Sequence, residues 1–277
     1  MRCAPPASAA VLEEHAGYIS VPGAHLYAML HRAACPAARA LLVGPFASER
    51  QFAYHAWVRW ARYLAARGIE TLRYDHRGTG ESTGGFESAS FEQWRADTEA
   101  LAGWLARQRP ELPLLLHGVE LGAVLAGRCF SGGAGEALLL WSPPANANQA
   151  MRAVLRRWAG IEQLYESPEN RKSASEYIRE LEGGSSVEVH GYAWQSKLWR
   201  ESFAFGIPDG LRDEGAFMDD RGRPVKVDRF GANAESPSMP YRRYDDSHDL
   251  SALYDSTYKW VAEALRLKTH GVDGTSN

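Results

Sequence analysis

The sequence predicts an α/β fold on a mostly parallel, doubly wound sheet, and three observations carry the prediction. Between Ala38 and Pro144, short apolar runs alternate with longer amphipathic stretches, the rhythm of successive βαβ units. Runs such as "ALLVG" and "LPLLLHG" are apolar throughout rather than alternating, as strands covered on both faces are. A chain of 277 residues with a net charge of -3 is long enough to build one large core, and nothing early in it reads as a linker.

Taken in order, Gly17 to Arg32 carries two alternating runs around Pro22-Gly23 and predicts a β-hairpin. Ala38 to Phe46 predicts a buried strand, Phe52 to Gly68 a helix stopped by its glycine, and Ile69 to Gly78 a second strand. Phe91 to Gln108 predicts an amphipathic helix, Leu112 to Gly118 a strand, Leu121 to Phe130 a helix and Glu136 to Pro144 another buried strand. From about Asn146 to Phe217 the rhythm breaks. Ala147 to Tyr165 reads as a helix, Glu166 to Ser186 as a polar, mobile or surface stretch, and Ser186 to Phe205 as a return to aromatic residues. The sheet resumes with Arg223 to Phe230 and Pro240 to Asp246, and Asp249 to Leu267 predicts a last helix. The chain divides accordingly into a first part of the core over residues 1–145, an insertion or lid over 146–217, a second part of the core over 218–268 and a disordered tail over 269–277.

Acidic and basic residues are interspersed, which gives no electrostatic footing for nucleic acid or an anionic membrane surface. No segment has the apolar length of a bilayer span, and "MRCAPPASAAVLEEH" lacks an apolar signal region. Cys3, Cys35 and Cys129 are odd in number and far apart, which fits neither a disulfide framework nor a zinc site, so all three are expected as reduced thiols of a cytoplasmic protein. No metal and no cofactor is expected. The expected partner is a small, partly apolar substrate, with a homodimer as the one assembly in view.

The chemistry concentrates in "LLLHGVELGAVLAG", Leu114 to Gly127. An apolar strand runs through Gly118-Val119-Glu120-Leu121-Gly122 into an Ala-rich helix, the form of a nucleophile elbow with glutamate where serine is expected. The plainer reading is a strand-to-helix turn with a solvated glutamate. At such an elbow the side chain projects at the C-terminal sheet edge, where open α/β sheets bind ligands. His248, four residues after "YRRY", stands where a catalytic base is offered to an elbow, or else caps the following helix. The carboxylate that would orient it is Glu235, with Asp228 as a rival and Asp245, Asp246 or Asp249 as further choices. "GPFASER" follows the first central strand, and its Phe46 or Ala47 amide, with that of Leu121, would form an oxyanion hole. Trp141, Tyr192, Trp194 and Trp199 are the aromatic candidates for lining a substrate pocket. His117 and His76 read as structural or pocket-lining.

"YDHRGTGESTGGF" is similar to the strand-and-loop signature of the serine-aminopeptidase-like (S33) branch of the α/β hydrolases. "GPFASER", "GGFESASFEQWRADTEALAGWL", "LHGVELGAVLA", "LLLWSPPANANQAMRAVLRR" and "VEVHGYAWQSKLW" resemble the hydrolase-like proteins associated with exosortase A and exopolysaccharide gene clusters. The resemblance covers most of Leu41 to Trp199 and fades over Phe203 to Tyr244. It implies the α/β-hydrolase fold with an inserted helical lid, a biosynthetic setting, and a lineage in which the elbow serine is often missing.

A carboxylate at the elbow permits three functions. Glu120 can move protons with His248 while the oxyanion amides hold a developing enolate, in an elimination, cyclisation or isomerisation. It can attack carbon and form an ester that His248 helps water to cleave, as aspartate does in related hydrolases of epoxides and haloalkanes. Or the site binds without chemistry. An enzyme is preferred over a binding site because Glu120, His248 and both elbow glycines occur together, and proton transfer is preferred over attack because the extra methylene relative to aspartate makes in-line alignment harder to hold.

Overall fold

The computed structural model describes residues 13–230 and 249–267. Ten strands and seven α-helices are described: β1 Glu14–Val21, β2 Ala24–His31, β3 Ala38–Val43, α1 Glu49–Ala66, β4 Ile69–Tyr74, α2 Phe91–Gln108, β5 Leu114–Val119, α3 Leu121–Ser131, β6 Ala137–Trp141, α4 Ala147–Tyr165, α5 Ala174–Glu182, β7 Val187–Val189, β8 Tyr192–Trp194, α6 Ser196–Ala204, β9 Gly215–Met218, β10 Pro224–Asp228 and α7 Ser251–Ala264. Eight strands form one sheet in the order β1-β2-β4-β3-β5-β6-β10-β9. The run β4-β3-β5-β6-β10 is parallel, and β1, β2 and β9 are antiparallel to their neighbours. This is the α/β-hydrolase fold.

Alternation along the central strands sends residues to two cores. Leu41 and Val43 of β3 face a cluster with Leu116, Phe91, Trp94 and the apolar side of α3. Ala40 and Leu42 face the opposite cluster, with Trp57, Trp60, Leu115, Trp141 and Tyr254 from α1, β5, β6 and α7. Because β3, β5 and β6 are buried at every position, their sequences need no polar face, which is why, apart from Arg39 and His117, they read as apolar runs.

Between β6 and β9 the chain leaves the sheet for α4, α5, the β7–β8 hairpin and α6. Asn146 caps α4 by accepting from the Gln149 amide at 2.9 Å. The insertion is tied to the sheet's C-terminal edge by aromatic and polar contacts. Trp194 meets Phe46 with ring centroids 5.1 Å apart, and Phe205 stacks on Phe91 at 5.3 Å. Glu201 accepts from the Ser90 hydroxyl at 2.8 Å and from the Glu92 amide at 3.2 Å, placing an anion at the N-terminus of α2.

One expectation is overturned, that for Cys35, and two elements go beyond the sequence reading. The polar stretch Glu166 to Ser186 is not irregular throughout: it contains α5, started by a capping box between Ser173 and Glu176, whose reciprocal bonds satisfy two helix-end amides. The described sheet ends on β9, an antiparallel edge strand formed with β10, while the strand expected over Pro240 to Asp246 lies outside the described residues, as does the tail over 269–277. Cys35 is disulfide-bonded and not a thiol; Cys129 is a free, buried cysteine whose thiol burial pushes up to about 12. Cysteine usage therefore gives no reason to place the chain in a reducing compartment. No described helix is long and apolar enough to cross a membrane.

Burial sets an acid limit on this fold. His31 and His117 are fully buried. Burial, with the Arg73 cation beside it, holds His31 down to about 4, and burial alone holds His117 down to about 3. Above the ordinary histidine value both are neutral in either state and contribute no pH dependence. Below about 6.5 the unfolded chain takes up protons that the folded chain refuses, so each costs about 1.4 kcal/mol per pH unit until its folded value is reached. The thermal midpoint is expected to fall as pH drops from 7 to 5, measured by circular dichroism in low-salt buffers; a midpoint that holds or rises over that interval contradicts this reading.

Candidate active site

Glu120 occupies the turn between β5 and α3 with φ 54° and ψ -119°, a backbone that costs a non-glycine residue about 1–3 kcal/mol and persists only where its surroundings impose it. The imposing contacts come from its neighbours. A Cβ on Gly118 would stand 2.5 Å from Ala123 Cα, and one on Gly122 would overlap the carbonyl oxygens of Val43 and Gly44. Only glycine at both positions lets α3 start this close to β5 and β3. The Glu120 amide donates to the Trp141 carbonyl at 2.9 Å, and its carbonyl accepts from Ala123 at 3.0 Å. The residue is 8% exposed and precedes the first helical amide of α3, where the helix dipole favours negative charge.

The loop after β3 meets this turn directly, through the contact of Gly44 with Gly122. Phe46 and Ala47 are buried, and Ala47 has φ 43°. Among the described residues, neither the Ala47 nor the Leu121 N–H donates to a backbone carbonyl. Two strained non-glycine residues thus flank one point at the sheet edge. A third, Ser142 with φ 48°, follows β6; its amide donates to the Asp228 carbonyl at 2.7 Å.

Of the carboxylates weighed for orienting His248, Asp228 ends β10, directly beside Trp141 of β6. Burial pushes its carboxyl up, against the opposing pull of Lys226 at 3.2 Å. Asp249 is exposed and accepts from the Ser251 amide at 2.8 Å. His248, Glu235, Asp245 and Asp246 lie outside the described residues.

The four aromatic candidates separate. Trp141 packs against His117 at 4.6 Å and Trp57 at 6.3 Å inside the core. Trp194 and Trp199 are 0% and 1% exposed and hold the insertion together and onto the sheet. Tyr192 alone is half-buried and borders an open depression, together with Arg50, Gln51, Tyr54, His55 and Gly80.

Sequence reasoning passes over the polar residues that join the insertion to the loop after β3. Glu49 is buried at the start of α1 and forms a two-point ion pair with Arg157 of α4. His190, with φ 50°, lies 4.2 Å from the Trp158 ring, ring centre to ring centre, and burial lowers its pKa. Glu49 sits inside "GPFASER", so its closeness to the elbow loop is readable; its partner in the insertion is not. Among the described residues no cluster of His, Cys, Asp and Glu is arranged to hold a metal ion.

Comparison with known proteins agrees with this fold. Residues 52–171 match the family described as serine aminopeptidase, S33. No curated protein sequence matches the chain. Among solved structures, Est1E from Butyrivibrio proteoclasticus, determined with ferulic acid, aligns at 16% identity over 90% of this chain and 99% of its own, with a TM-score of 0.60. An esterase from Pyrococcus furiosus aligns at 14% identity over 92% and 91%, with a TM-score of 0.53. An α/β serine hydrolase without lid from Xanthomonas campestris aligns at 25% identity over 48% of this chain, with a TM-score of 0.43; the chain spans 62% of its length.

If the surroundings impose the elbow backbone, Glu120→Gly will be more stable than Glu120→Ala, since both lose the same side-chain contacts and only alanine keeps the strain. The expected gap is about 1 kcal/mol, after allowing for glycine's greater freedom in the unfolded chain. Urea unfolding of the two variants measures it, and equal stabilities would show the turn to be relaxed.

Proposed function

We propose that this chain is an α/β-hydrolase-fold enzyme that acts on a small, partly apolar molecule through the Glu120 carboxylate, with His248 as its partner in proton transfer. The observation that carries the proposal is the strained backbone of Glu120. Two glycines and a positive-φ turn set Glu120 at the sheet edge, in the same region as Ala47 and next to Leu121. A plain strand-to-helix turn has no use for such strain.

In this reading Glu120 takes a proton from carbon or oxygen of the substrate. The two amides hold the negative charge that develops on the substrate oxygen, and a protonated His248 gives its own proton elsewhere on the molecule, as in an elimination, cyclisation or isomerisation; in a hydrolysis Glu120 takes its proton from the attacking water instead. Asp228, half-buried at the end of β10, and Glu235 are the candidates to fix the imidazole. The insertion over residues 146–217 acts as the lid, with Tyr192 at its rim. The resemblance to proteins of exopolysaccharide gene clusters favours a biosynthetic substrate.

The experiment is a comparison of the wild-type chain with Glu120→Gln and His248→Ala on a metabolite extract, followed by mass spectrometry. Compounds consumed by wild type are expected to turn over about 10²-fold more slowly or less with either variant, the scale for losing a positioned acid or base. If both variants consume them at the wild-type rate, the elbow carries no chemistry and the activity lies elsewhere in the chain. A fluorophosphonate probe is expected to leave Ser48, Ser82 and Ser142 unlabelled; a labelled peptide at any of them would make this a serine enzyme and remove Glu120 from the centre.

A further inference from the structure

We infer that the depression beside the elbow loop is a binding site for a planar carboxylate, in which Arg50 and Arg73 supply the charge and Tyr54 and Tyr192 hold the ring. The site is built in two levels. The outer bowl is about 470 Å³ and is bordered by Arg50, Gln51, Tyr54, His55, Gly80 and Tyr192, a size within the range of roughly 300–1,000 Å³ for small-molecule sites. Arg50 and Tyr54 also belong to an inner cavity of about 30 Å³, whose other walls include Arg73, Asp75, His76 and Trp57. That inner space holds about two water-sized groups, which is the size of the two oxygens of one carboxylate.

The charge at the bottom favours an anion. Arg50 pairs with Asp75 at 3.1 Å, so that pair is neutral. Arg73 has no carboxylate partner among the described residues. It donates to His31 Nε2 at 3.1 Å and lies 5.5 Å from the centre of the Tyr54 ring. Its charge is one reason His31 is held down to about 4. One positive charge is therefore left on the inner wall, in a place where burial strengthens electrostatic attraction. A planar guanidinium and a carboxylate meet through two parallel hydrogen bonds, which a neutral ligand cannot match.

The walls are held in place. A Cβ at Gly80 would overlap the Asp75 carboxylate and the Arg50 guanidinium, so glycine there is what lets the pair stand at the mouth of the cavity. Asp75 is further fixed by the Glu81 amide at 3.1 Å, and the Tyr192 ring packs on Phe86 at 4.8 Å. His76 donates through Nε2 to the Gly44 carbonyl at 3.2 Å, which leaves Nδ1 as a buried acceptor with no partner among the described residues. A water brought in beside the carboxylate would satisfy it. Two tyrosines above a cationic floor select an aromatic or conjugated acid over an aliphatic one. The proposal does not depend on the role given to Glu120, which is absent from both levels.

Isothermal titration calorimetry with 4-hydroxycinnamate and with its neutral primary amide tests the assignment. The acid is expected to bind at least tenfold more tightly than the amide. Arg73→Met should weaken the acid at least tenfold and leave the amide unchanged. Tyr192→Ala should weaken both. Glu120→Gln should bind the acid as wild type does, so that loss of the elbow reading leaves this one intact. Equal affinity for acid and amide in the wild-type chain, or no binding of the acid at millimolar concentration, overturns the proposal whether or not the variants fold.

Discussion

Gly122 sits so close to the end of β3 that no side-chain carbon fits between its Cα and the carbonyls of Val43 and Gly44. That contact fixes where α3 begins relative to β5, and the start of α3 fixes the backbone of Glu120 at φ 54°. It also brings the loop after β3 against the elbow, so the Ala47 and Leu121 amides share one edge of the sheet with the carboxylate. The insertion then has a defined surface to settle on. Trp194 packs on Phe46, and Arg157 pairs with Glu49 two residues past Ala47. Loosening the glycine contact would disturb all of these together.

The position is built as if for a small nucleophile, and it holds a longer, charged group. Glutamate carries its oxygens further from the backbone than serine does. In-line attack demands alignment that is worth several kcal/mol of barrier, whereas proton transfer tolerates a longer arm as long as donor and acceptor meet within hydrogen-bond reach. The same backbone can thus be kept while the chemistry moves from addition to proton transfer. The fold alone argues for neither outcome.

Much of the architecture was legible from periodicity and caps. Phe91–Gln108 and Ala147–Tyr165 form helices over the expected residues, because each has a long amphipathic repeat and the second a capping asparagine. The elbow was legible because its glycines are required by backbone contact, which leaves a mark in sequence. Other features leave none. The capping box of α5 is hidden by the polar composition around it, and β9 is a short edge strand that only its hairpin partner stabilises. Nothing in the spacing of Trp194 and Trp199 says that both turn into the core while Tyr192 stays at a rim. The pairings of Glu49 with Arg157 and of Arg50 with Asp75 join separate elements, so only the folded chain reveals them. The Cys35 disulfide was invisible for the same reason.

The central claim is that Glu120 works by moving protons. A single turnover in H₂¹⁸O, with a substrate that the wild-type chain consumes, tests it directly. If Glu120 forms an ester with substrate, water opens that ester at the glutamyl carbonyl and leaves heavy oxygen in the side chain. If it transfers protons, its oxygens never exchange. The account predicts a Glu120 peptide of unchanged mass, and a peptide heavier by one ¹⁸O would contradict it.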